Sequence, residues 1–315
     1  MPRKLKLDSL RAELSSIISL LDEARGIDDP IGVIQYEYRM SIIEAEISEL
    51  ERDQETKASV ALFFGGRPVF GSRGVSADFA GRALDGFQEI ISKVYANLEL
   101  GRMGSRGRVP LAGKTNLMIT EVAKGSFGFV LDELNDQMEM ADTALKKVVD
   151  DVAIILEKTG AIEDSSFEEV LEEIDDRTLI SLKDFFKNLE KSEATLRVVE
   201  GSKEFVLDDD SVKRGKIRTE STFIDENEEV MEGVFIGFLP EHKKFEFKLN
   251  SGEVIWGTAT KDVAESYANS VEKGLSIINK KWRAKFDVRV VKPLNRPTKT
   301  LYRLLEFGTK VDKNA

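Results

Sequence analysis

Three stretches of this chain hold residues whose types and spacing could do chemistry, and each is basic. Residues 101–114, GRMGSRGRVPLAGK, set Arg102, Arg106, Arg108 and Lys114 among four glycines. Glycine lets backbone N–H groups close on a phosphate, and a guanidinium grips one through two parallel hydrogen bonds. The pattern predicts an anion- or nucleic-acid-contacting loop. Gly113-Lys114-Thr115 invites comparison with the phosphate loop of NTPases. That motif needs four residues between its glycines, and five separate Gly107 from Gly113. The strand-like NLMITEV that follows stands where the motif requires a helix, so this type of nucleotide binding is rejected. The second stretch, residues 65–74 (GGRPVFGSRG), adds Arg67 and Arg73. If the two loops share one edge of a sheet, their arginines form one positive cleft. The third is C-terminal: Lys281, Trp282 and Arg283, then Lys292, Arg296 and Lys299. Cationic side chains beside an indole suit single-stranded nucleic acid. Trp282 leads as the stacking residue, ahead of Trp256 and Tyr302. Phe245, Phe247 and Phe286 share strand parity with aliphatic neighbours and are expected in a core.

Other chemistries have little to stand on. The chain contains no cysteine and one histidine, His242, in the turn-like PEHKK. Thiol catalysis, disulfides, the usual triads and His- or Cys-based zinc sites are therefore out of reach. The acidic runs at 208–210 and 225–229 lack Ca²⁺-loop spacing and read as solvated faces. No metal and no cofactor is expected.

The elements that position these residues read as an α+β protein of several parts. Residues 1–57 form a helical hairpin. Leu7, Leu10, Leu14, Ile17 and Leu21 recur at steps of three and four. Tyr36, Met40, Ile43, Ile47 and Leu50 repeat the pattern beyond a GIDDP break. These are the seams of a coiled-coil-like pairing, open to dimerisation or to packing on the rest of the chain. Residues 58–134, the most apolar block, read as a two-layer ββαββ core. Residues 135–193 are an acidic helical segment, 194–228 a hairpin and charged linker. Residues 229–315 form a basic small β-barrel, OB- or SH3-like, with a helix after its third strand.

Charge follows these divisions. The formal net charge of −11 is −5 over residues 1–57, +2 over 58–134, −10 over 135–193, −5 over 194–232 and +7 over 233–315. Such asymmetry points to an anionic partner for the tail or to docking of acidic helices on it. No apolar run reaches the ~20 residues of a membrane span, and the N-terminus lacks signal-peptide features. The expectation is a cytoplasmic, bacterial-type, non-catalytic regulatory protein that oligomerises or docks on a partner protein. Nucleic-acid binding by the barrel and the Arg/Gly loops is the alternative, and an enzyme with a carboxylate/arginine site the third reading.

Overall fold

A computed structural model describes residues 1–52, 55–100, 107–123, 127–134, 141–274, 276–293 and 297–310. It is mixed α+β, with eight α-helices and three sheets among the described residues. The chain divides into two compact units: Met1–Val170 with Ile180–Ile217, and Leu171–Leu179 with Arg218–Ala315. No helix among the described residues is long and apolar enough to cross a membrane.

The first unit begins with helices α1 (Arg3–Gly26) and α2 (Pro30–Arg52), packed on each other as a hairpin. The Asp29 carboxylate accepts from the backbone N–H groups of Ile31 and Gly32, capping α2. Strand β1 (Ser59–Gly66) then enters a five-stranded sheet of order β4-β5-β1-β6-β7, with β4 Met118–Ala123, β5 Gly128–Asp132, β6 Ala194–Glu200 and β7 Lys203–Leu207. The predicted central core is thus completed by the later hairpin β6–β7, assigned from sequence to a separate segment. Its second expected strand leaves the sheet, because β2 (Val69–Phe70) pairs only with β3 (Gly74–Val75).

Leu62 and Phe64 point to one face of this sheet and Ala61 and Phe63 to the other, by strand alternation. Helix α3 (Ala77–Leu100) covers the first, where Phe79 meets Phe64 edge to face with ring centres 5.2 Å apart. Helix α4 (Ala144–Gly160) packs on α3 and on β1, β6 and β7, and α5 (Asp164–Glu173) and α6 (Asp176–Lys191) follow it in the chain. On the second face Ala61, Phe63, Val130 and Val199 are sealed by Met1, Leu5 and Ala123.

The second unit is built on a closed five-stranded sheet: β8 (Thr222–Leu239), β9 (Lys244–Leu249), β10 (Val254–Ala259), β11 (Lys281–Pro293) and β12 (Lys299–Lys310). Its ring order is β10-β12-β11-β8-β9, every neighbour antiparallel except β10–β12. Helix α8 (Lys261–Glu272) follows the third strand, as expected. Phe235, Phe245, Phe247 and Phe286 fill the interior.

The charged linker expected to run to residue 228 is not a linker: it holds helix α7 (Asp209–Glu220), whose N-terminus Asp208 caps through the Ser211 N–H, and then the first half of strand β8. The acidic run 225–229 is therefore a strand, paired along its length with β11.

Candidate functional site

The residues spaced as a seam lie on two helices, α1 and α2, that pack on each other within the hairpin. Leu7, Leu10, Leu14 and Ile17 are half-buried and Leu21 is buried; Tyr36, Met40, Ile47 and Leu50 are half-buried and Ile43 fully enclosed. Cross-helix ion pairs Arg11–Glu51 (2.9 Å), Arg25–Glu37 (2.8 Å) and Arg39–Glu13 (2.6 Å) flank it. The hairpin is tied to the sheet near the start of α1, where the Lys4 N–H donates to the Gly201 carbonyl and the Arg3 guanidinium reaches Ser202.

Sequence periodicity missed a second stripe. Ile31, Ile34 and Tyr38 are 69%, 68% and 69% exposed. They follow one another at steps of three and four. At about 100° per residue they stand half a turn from Tyr36, Met40, Ile43 and Ile47. Helix α2 is thus apolar on two opposite sides, and only one meets α1. The outer stripe continues into a shallow depression lined by Glu44, Ala45, Ser48, Glu49 and Arg52.

Among the described residues, the basic side chains predicted to bind anions do not converge. Arg102, Arg106 and Arg296 lie outside the described residues. Arg67 pairs with Glu193 at 2.9 Å, and Arg73 lies over the Phe70 ring at 4.4 Å. Both sit at the Gly66 end of β1. Residues 107–117, with Arg108 and Lys114 exposed, lead into Met118, which shares a register row with Asp132 and Ser59 at the other end of β1. Among the described residues, Arg67 and Arg73 therefore stand at one end of β1, whereas Arg108 and Lys114 precede the strand that pairs at the other. The chain crosses the length of α3 between the two loops, about 36 Å at 1.5 Å per residue. Thr115 is fully buried, its hydroxyl against Ser92 at 2.8 Å, and Gln88 bonds its carbonyl; it anchors the loop to α3.

The C-terminal bases are largely neutralised by acids of their own unit. Lys285 pairs with Glu228 at 2.7 Å, Lys292 with Asp225 and Lys299 with Glu172. Whole, the unit holds 18 Lys and Arg against 19 Asp and Glu. The excess of +7 over residues 233–315 disappears once the acidic half of β8 and residues 171–179 are included. Lys281 is half-buried and Arg283 exposed at the start of β11.

Trp282, expected as the stacking platform, is half-buried. Its indole N–H donates to the Ile277 carbonyl at 3.0 Å, and its ring lies 6.2 Å from that of Phe307. Tyr302 likewise packs on the core. The exposed indole is Trp256, 66% accessible, in a depression of about 440 Å³ with Gly237, Leu239, Lys244 and Glu246. Alternation from buried Ile255 was the available signal.

Two buried charge clusters complete the inventory. In the first unit Lys146 Nζ donates to Asp150 (2.6 Å) and Glu200 (2.7 Å). Burial, then a hydrogen bond shared with Glu200, pushes the Asp150 carboxyl up to about 6. In the second unit Arg289, on the outer face of β11, is buried under residues 171–179. It donates to the carbonyls of Ile174 (2.7 Å) and Glu172 (3.0 Å), with Asp287 at 4.0 Å. His242 is exposed in its turn. Among the described residues no group of three or more His, Cys, Asp or Glu is placed to hold a metal.

No protein family matches the chain, no curated protein matches it, and no solved structure matches its fold.

Proposed function

We propose that the protein is a non-catalytic interaction protein that docks on another protein through its α1/α2 hairpin. The observation that carries this reading is the outer stripe of α2. A helix hairpin that buries one seam has no internal use for a second row of large apolar side chains on its opposite face, and exposed apolar stripes of this kind mark interaction sites. Cytoplasmic residence is part of the proposal, supported by the lack of cysteine. The test is photocrosslinking in the cells that make the protein. A photoreactive residue at position 38 is expected to give a discrete adduct that Ile34→Asp abolishes, with none from position 261 on α8. No Ile34-dependent adduct at position 38 would refute the reading.

A second reading is favoured by one specific feature of the closed sheet. In chain order its ring runs first, second, third, fifth, fourth, with a helix between third and fourth strands. This supports an OB-type barrel over an SH3-like one, and OB-type barrels take single strands on the face of their second and third strands. Trp256 lies on that face beside Lys244. The neutralised bases argue against strong binding. If the reading holds, Trp256→Ala weakens single-stranded DNA binding by about 5–150-fold, the worth of one stacked base; salt-insensitive or unchanged binding would exclude it.

A further inference from the structure

We infer that the element seated on the outer stripe of α2 is an amphipathic helix whose apolar seam is flanked by lysine and arginine. The inference rests on the docking reading above and adds the chemistry of the partner. The stripe has the shape for a helix: Ile31, Ile34 and Tyr38 stand at a/d spacing, and Ser41, Ala45 and Ser48 continue the same line with small side chains. Large side chains in the first half would enter a partner's seam, and small ones in the second half would admit the partner's own.

The flanks decide the charge. Helix α2 carries five glutamates against two arginines. On the helical wheel Glu37 and Glu44 border one side of the stripe and Glu46 and Glu49 the other, all four exposed or half-exposed positions of one helix. Arg52, in the last turn, ends the stripe as its one cation against four glutamates; Arg39 is committed to Glu13 across the hairpin, and Glu37 is held by Arg25. Among the described residues neither Glu44 nor Glu49 forms a salt bridge. A second copy of this helix would lay acid against acid along both flanks, which penalises pairing at these positions. Anionic surfaces such as nucleic acid or acidic lipid are disfavoured for the same reason. A helix with basic flanks meets no such opposition.

The experiment uses the full chain and two designed helical peptides of about four heptads, with leucine at the seam and either lysine or glutamate at the flanks. Binding is read by fluorescence anisotropy, and self-association by sedimentation. The lysine-flanked peptide is expected to bind and the glutamate-flanked one not. Ile34→Asp is the discriminating variant, because it adds negative charge while breaking the seam. Attraction by charge alone would strengthen, whereas a seated helix is expected to weaken by about tenfold or more. The double variant Glu44→Lys, Glu49→Lys is expected to reverse the peptide preference. Equal or better binding of the glutamate-flanked peptide, or a dimer that Ile34→Asp dissociates, overturns the inference while leaving docking through α2 intact. So does failure of both peptides where the Ile34-dependent adduct at position 38 persists. Absence of that adduct together with peptide binding indifferent to Ile34 overturns the docking reading itself.

Discussion

Replacing Arg289 by alanine tests the most buried of the contacts between residues 171–179 and the closed sheet, which also include the exposed pair Lys299–Glu172. The guanidinium is 6% exposed and gives two hydrogen bonds to backbone carbonyls, Ile174 at 2.7 Å and Glu172 at 3.0 Å. Charged donors contribute about 1.5–3 kcal/mol per hydrogen bond, so the pair brackets about 3–6 kcal/mol. Stripping one partner from a buried ionic cluster costs about 3–5 kcal/mol, and Asp287, 2% exposed, lies 4.0 Å from the guanidinium that would be removed. Both routes converge on a loss of about 3–5 kcal/mol, or about two to three and a half orders of magnitude in the folding equilibrium. The assay is convenient: the chain has two tryptophans, Trp256 and Trp282, both in the second unit. Urea unfolding followed by their fluorescence therefore reports on that unit. Arg289→Lys keeps the charge but loses the planar fork, and is expected between wild type and alanine. Faster amide exchange confined to residues 171–179 and the adjoining strands would locate the effect. A loss below about 1 kcal/mol for the alanine variant would refute the reasoning, placing the contact with surface pairs.

Three further outcomes are expected. The raised carboxyl of Asp150 binds its proton in the folded state at pH values where the unfolded chain has released it. Its ionisation therefore removes stability as pH rises from about 4 to about 6; Asp150→Asn should gain stability relative to wild type across that window, and a flat or falling difference in thermal melts would contradict this. At Gly257→Ala the new methyl collides with the Tyr302 carbonyl oxygen in the parallel β10–β12 pairing. A loss of about 1–3 kcal/mol or more follows from overpacking, and an unchanged urea midpoint would show that the ring opens freely there. Thr143 accepts from the Lys146 N–H at 2.9 Å at the start of α4 and donates to Glu133 at 2.7 Å. Thr143→Ala should cost about 1–2 kcal/mol, measured by circular dichroism during thermal unfolding.

Which features were legible in the sequence follows from what each signal depends on. The hairpin seam and the aromatic interior of the closed sheet were readable, because Leu7–Leu21 and Phe245–Phe247 follow single, clean periods. The outer stripe was not: Ile31 and Ile34 interleave with Val33 and Tyr36, so two helical stripes merged into one apolar run. The acidic half of β8 was missed because Asp, Asn and Glu are poor strand formers in isolation. Pairing with Lys285, Arg289 and Lys292, some sixty residues later, overrides that preference. The same long-range pairing explains why the +7 tail misled. A charge count over a segment assumes the segment is solvated as drawn, and here its counter-charges come from β8 and from residues 171–179. Trp282 was chosen for its basic neighbours, whereas accessibility was set by a fold-specific bond to Ile277. No local signal carries that.

The nine residues 171–179 also impose an order on biosynthesis. They belong to the second unit, yet Arg289 is added about 110 residues after Leu179, a wait of about 5–20 s at ribosomal rates of about 5–20 residues per second. Through that interval residues 171–179 lack the strand that carries Arg289, while the first unit already has all of its own chain from Ile217 onward. The second unit is therefore the last to close, and it can do so only by collecting a piece of chain made long before.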